Sequence, residues 1–110
     1  MRSEDLTMTL ADGRTLAWAE YGVPDGRSVL LFHGGNDSRL AGRLLADAAT
    51  QANIRLICPD RPGYGASTFS NGRTFLDWAT DVGSLTDQLG ITGYGVVGHS
   101  GGGPHAIACA

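Results

Sequence analysis

Lysine is absent from this 110-residue sequence; all eight basic residues are arginines. That absence removes a lysine Schiff base, a Ser-Lys dyad, lysine-held pyridoxal phosphate and a phosphate loop closed by its lysine. Cysteine is scarce as well: Cys58 and Cys109 both lie in apolar segments, where a free thiol behaves as a small core hydrophobe. No apolar run approaches the roughly 20 residues of a membrane span, and Met1-Arg2-Ser3-Glu4-Asp5 leads into no signal-peptide core. The expectation is a soluble, cytoplasmic chain, in which Asn36-Asp37-Ser38 is ordinary loop sequence rather than a glycosylated sequon. Positive charge is thin: the net charge is −3 and the arginines are scattered, so no stripe suits nucleic acid or an anionic membrane.

What the sequence has in excess is glycine, 17 of 110 residues, roughly twice the usual share. Eight of these glycines, at 34, 35, 63, 65, 98, 101, 102 and 103, fall where strands are predicted to end. There they let backbone turn tightly or approach a ligand. The length suits one domain and not two.

Residues 6–10 and 15–21 alternate in the β manner around Asp12-Gly13, which predicts a hairpin with a two-residue turn. Residues 29–32 and 54–58 are short apolar runs of the kind buried on both faces of a parallel sheet. Between them, apolar residues at 40, 44, 45, 48, 49 and 52 have helical spacing, with Ser38 or Asp37 as N-cap. Residues 59–72 read as a surface loop. Phe75, Trp78, Val82, Leu85 and Leu89 then make the core-facing stripe of a longer helix that Thr74 and Asp77 cap and Gly90 stops. A strand at 94–97 and a helix from 101, with Pro104 in its first turn, complete the order. After the hairpin, strand and helix alternate three times, the signature of an α/β fold with a parallel sheet and crossover helices.

In such sheets ligands bind beyond the carboxyl ends of the strands. Three segments lie there: His33-Gly34-Gly35-Asn36, residues 60–67, and Gly98-His99-Ser100-Gly101-Gly102. The last has the G-x-S-x-G pattern of a nucleophile elbow, for which chance alone gives roughly 0.16 matches at this composition. Its position between a predicted strand and a predicted helix is what an elbow requires, because the sharp turn leaves no room for Cβ atoms beside the serine. Acyl transfer at Ser100 needs backbone N–H donors aimed at the developing oxyanion. Gly101 can supply one and the Gly34-Gly35 turn the second.

Two other readings of these residues are weaker. Gly93-Tyr94-Gly95-Val96-Val97-Gly98 satisfies G-x-G-x-x-G, but its glycines precede and occupy the strand instead of following it. His33, His99 and His105 lack the paired spacing of a metal site.

Taken together and in this order, the three segments resemble the α/β-hydrolase superfamily, over essentially the whole chain. The resemblance implies a serine hydrolase that transfers an acyl group to water from an ester or related carbonyl compound. Ser100 falls on the nucleophile and Gly35 and Gly101 on the oxyanion hole, with Asn36 as an alternative backbone donor. Gly98, His99, Gly102, His33 and Gly34 fall on supporting positions, and the 60–67 segment on a structural loop. A small-molecule substrate is implied, with no cofactor, no metal, no nucleic acid and no membrane. The family's triad runs Ser, then Asp or Glu, then His, whereas no acid and only His105 follow Ser100. The expectation is therefore the N-terminal portion of a single hydrolase domain, lacking the triad acid and histidine, the C-terminal strands and the cap. Alone it would be inactive and marginally stable. A non-catalytic binding module or truncated remnant of the same fold is the alternative.

Overall fold

The computed structural model describes residues 2–35, 37–70 and 74–109. Strands β1 (Arg2–Thr9) and β2 (Thr15–Gly22) form the hairpin, with Thr9 opposite Thr15 and Leu6 opposite Trp18. Its turn is one residue longer than Asp12-Gly13 predicts. The Gly13 N–H donates to the Leu10 carbonyl at 2.9 Å and the Leu10 N–H to the Arg14 carbonyl at 2.8 Å. Gly13 takes φ +90, which makes a three-residue loop closed by a left-handed glycine. Asp12 favours this form because its carboxylate accepts from the Arg14 N–H at 3.1 Å and from Arg14 Nε at 2.7 Å.

β3 (Arg27–Phe32), β4 (Ile54–Pro59) and β5 (Gly95–Gly98) follow, and the sheet order is β1-β2-β4-β3-β5. β3 is parallel to β4 on one side and to β5 on the other, whereas β2 meets β4 antiparallel. The sheet is thus parallel only in its β4-β3-β5 half.

The helical pattern at 38–53 divides into a 3₁₀ segment, Arg39–Leu45, and a short helix α1 (Ala46–Gln51). Ser38 is the cap, its Oγ accepting from the Leu40 N–H at 3.3 Å. The first half is held in tighter winding by its neighbours. The Arg39 N–H donates to Asp60 at 2.6 Å, and Gly42 lies so close to Cys58 and Tyr21 that an added Cβ would stand 2.5 Å from Sγ and the ring.

Helix α2 (Phe75–Leu89) follows its sequence signals closely. Thr74 Oγ1 accepts from the Asp77 N–H at 3.2 Å, Asp77 Oδ2 accepts from the Thr74 N–H at 2.8 Å, and Gly90 closes the helix at φ +68. Trp78, Val82 and Leu85 are buried, while Phe75, the first residue of the stripe, stays half exposed. The final helix α3 (Gly103–Cys109) begins two residues later than expected, after a 3₁₀ turn, Ser100–Gly102.

Side-chain alternation along β3 and β4 builds a core on each face. Leu30, Phe32 and Ile57 pack against Trp78, Val82 and Leu85, with Ala106 and Cys109 of α3 beside them. Leu31, Leu56 and Cys58 pack with Ala19 and Tyr21 against Ala49 of α1. Each fully buried Leu, Ile, Val or Phe among them contributes roughly 1.5–3 kcal/mol of transfer free energy.

Candidate active site

β3 has β4 on one side and β5 on the other, so the chain leaves β3 in one direction and returns on its opposite flank. The crevice at such a reversal is where open α/β sheets bind ligands. The segments that follow β3 and β5 both emerge there.

Ser100 follows β5 and opens the Ser100–Gly102 turn at φ +53, one of two non-glycine residues with positive φ among the described residues. A side chain costs of order 1–3 kcal/mol in this region. The surroundings enforce the strain. The His99 N–H donates to the Phe32 carbonyl at 3.1 Å, and the Gly102 N–H to the His99 carbonyl at 2.9 Å. An added Cβ at Gly98 would lie 2.5 Å from the Gly102 oxygen, and one at Gly102 would collide with the Phe32 carbonyl. The two flanking glycines are therefore packing requirements, and Ser100 between them is exposed.

The His33-Gly34-Gly35 segment lies against this turn. A Cβ on Gly34 would stand 3.4 Å from the His99 oxygen and 3.5 Å from the Ser100 Cβ, whereas one on Gly35 would meet nothing within 4 Å. One glycine touches the elbow and the next faces open space, which leaves its backbone approachable. Asn36, the alternative donor, lies outside the described residues; the backbone of Gly101 is within the turn.

His33 is buried and makes two hydrogen bonds. Nε2 accepts from the Arg61 N–H at 3.0 Å, and Nδ1 lies 2.7 Å from the Gly34 carbonyl. Since Nε2 must present its lone pair, the proton sits on Nδ1 and donates to Gly34. Burial pushes the pKa of His33 below its ordinary value, and the Arg61 charge acts in the same direction.

The segment at 60–67 is braced throughout. The buried Asp60 carboxylate accepts from the Arg39 N–H, from Arg39 Nη1 at 2.8 Å and from the Ala66 N–H at 2.9 Å. Ser67 Oγ donates to the Asp60 carbonyl at 2.9 Å and accepts from the Ala17 N–H at 3.0 Å, tying the loop to β2. Gly65, at φ +52, has no room for a Cβ because the Asp60 carboxylate fills it.

Arg61 is the residue that sequence reasoning passed over. Its side chain is buried, its guanidinium carbon lies 4.7 Å from the Tyr64 ring centre, and Nη1 is 3.4 Å from each ring nitrogen of His105. Burial draws its pKa down, and Nε and Nη2 have no hydrogen-bond partner among the described residues. In the sequence only its place between Asp60 and a proline-glycine turn sets it apart. His105 packs edge-on against Phe75 and Trp78, with ring centres 4.9 and 5.9 Å away.

An open, mainly apolar cleft of about 230 Å³ runs beside the elbow, lined by Leu31, Ala41, Leu44, Leu45 and Val97 with His33, Asp37, Gly98 and His99. Among the described residues no group of three or more His, Cys, Asp or Glu side chains is placed to hold a metal, and no helix is long and apolar enough to cross a membrane.

A switch-point crevice, a strained exposed serine and a glycine turn beside it define an α/β protein with a candidate site at the carboxyl ends of β3 and β5. The family model described as alpha/beta hydrolase fold matches residues 27–110. The chain belongs to that family. It is 36% identical over 91 residues to the magnesium-chelatase 30 kDa subunit of Rhodobacter capsulatus, covering 81% of this chain and 32% of that protein. It is 33% identical over 98 residues to the non-heme chloroperoxidase of Streptomyces lividans, covering 88% and 36%. The solved structure of the epoxide hydrolase CorEH superposes with a TM-score of 0.86 at 28% identity, covering 98% of this chain and 37% of that one. The chain thus spans about a third of the length of the curated relatives it matches.

Proposed function

We propose that these residues form the N-terminal portion of a single α/β-hydrolase domain that acts as a serine hydrolase on an ester or related carbonyl substrate. Ser100 Oγ attacks the carbonyl carbon, the N–H groups of Gly101 and Gly35 receive the oxyanion, and loss of the alcohol leaves an acyl-enzyme that water cleaves. The observation that carries this reading is the exposed Ser100 at φ +53, seated against Gly34 at the carboxyl ends of β3 and β5. Each oxyanion donor contributes roughly 2.7–4 kcal/mol to the transition state.

The attack needs a base, and the histidines here are committed elsewhere. Both nitrogens of His33 are used on Gly34 and Arg61, and His105 packs on Phe75, Trp78 and Arg61. His99 is part of the turn itself. The base and its acid are therefore proposed to come from outside these 110 residues, which by themselves do not turn over.

Two measurements test this. The purified 110-residue chain is expected to hydrolyse p-nitrophenyl acetate no faster than its Ser100→Ala variant; turnover that this substitution removes would show that the base lies within. In the chain continued through a whole hydrolase domain, a fluorophosphonate is expected to form an adduct that peptide mapping places on Ser100. Absence of that adduct would sink the proposal in favour of a non-catalytic binding module.

A further inference from the structure

We infer that His33 is a proton-dependent positioning residue, whose neutral imidazole aims the Gly35 N–H by clamping the Gly34 carbonyl from one nitrogen while anchored to the Arg61 backbone by the other. The inference rests on the proposed role of that N–H. Its physical basis is the peptide unit. Gly34 C=O and Gly35 N–H belong to one planar trans group and point in opposite directions, so fixing the first fixes the second. The Gly34 oxygen is held by His33 Nδ1–H at 2.7 Å and also accepts from the Asp37 N–H at 3.3 Å. The Gly35 N–H is therefore turned away from both donors.

The second bond seats the ring for the clamp. The Arg61 N–H donates to Nε2 at 3.0 Å, and Arg61 sits in the loop that Asp60 and Ser67 brace to β2. Through one imidazole the glycine turn after β3 is referenced to a loop tied to β2 and to Arg39. Tyr64 supports the ring edge-on at 5.0 Å. Protonation would put a second donor on Nε2, facing the Arg61 N–H, and the anchor would break. The charged and titratable groups around the ring are Arg61, Asp60 and Tyr64 of the loop after β4, Asp37 of the loop after β3, and His99, which lines the same cleft. Burial and the Arg61 charge hold the clamp in its neutral form down to pH values below the ordinary histidine range.

The test has one arm that does not depend on Ser100 chemistry. In a ¹⁵N-labelled whole hydrolase domain, His33 is expected to show a protonated Nδ1 and a bare Nε2 at neutral pH. The Gly35 amide signal should then move on acidification with the same midpoint as the His33 ring, also in His99→Gln. An Nε2–H tautomer, or a Gly35 amide blind to the His33 titration, would overturn the inference. The second arm uses the two amide replacements in a whole hydrolase domain. His33→Asn can still donate to Gly34 but does not reach Arg61; His33→Gln can still accept from Arg61 but loses the clamp. Phosphonylation of Ser100 is expected to slow by roughly a hundredfold to a thousandfold in His33→Gln, as for loss of an oxyanion donor, and to change far less in His33→Asn. Equal rates in the two variants would refute the clamp. Failure of Ser100 to react at all, with the Nδ1–H tautomer and coupled titration intact, would instead count against the proposed hydrolase reading.

Discussion

At residue 100 local chemistry and backbone geometry pull against each other. Serine is placed at φ +53, where glycine would sit without strain, between two glycines that the packing of Phe32 and Gly103 demands. Strain kept at an exposed hydroxyl supports the role proposed for Ser100. The two replacements that remove the hydroxyl should therefore differ in stability. Ser100→Gly is expected to be more stable than Ser100→Ala by about 1 kcal/mol, because only alanine keeps a Cβ in the left-handed region. Urea unfolding followed by circular dichroism measures the difference, and equal midpoints would show that the turn relaxes when the hydroxyl is lost. The G-x-S-x-G spacing made this turn legible in the sequence. Arg61 was not legible, since nothing in a sequence distinguishes a solvated arginine from one sealed between Tyr64 and His105.

Elements were readable where their determinants are local. The Thr74 and Asp77 capping box and the Gly90 stop are encoded within a few residues of the ends of α2, and both stand as expected. Thr74→Ala is expected to cost about 1 kcal/mol, as for loss of an N-cap, and Thr74→Ser only a fraction of it. Chemical denaturation of the pair checks this, and a cost shared equally by both would point to packing of the threonine methyl instead of the cap. Elements shaped by distant contacts were misjudged. The 38–53 pattern has helical spacing throughout, but its first half is wound as a 3₁₀ segment against Asp60, Tyr21 and Cys58, partners that its own spacing does not reveal. The hairpin loop gained its third residue from the Asp12–Arg14 bonds, and Arg14 is also held by Asp81 of α2 at 2.8 Å.

At the scale of the whole molecule the two edges of the sheet differ in kind. β1 carries Glu4 and Asp5, which pair with Arg43 and Arg39 and crowd that edge with charge. β5 is the sequence Gly-Val-Val-Gly, with no charge, proline or bulge to discourage a second strand. Its surroundings are apolar as well: Val97 is 46% exposed, Leu44 87% and Ile107 78%. Parallel sheet is found covered on both faces, yet α1 and the Arg39–Leu45 segment leave Val97 of the parallel half open on the cleft side. The isolated 110-residue chain is therefore expected to self-associate through β5 and the apolar surface beside it. Sedimentation velocity over a concentration series should show this association, and Val97→Lys should suppress it by placing a charge where a neighbouring strand would pair. Suppression by an equivalent charge on β1, with Val97→Lys without effect, would assign the contact to the opposite edge.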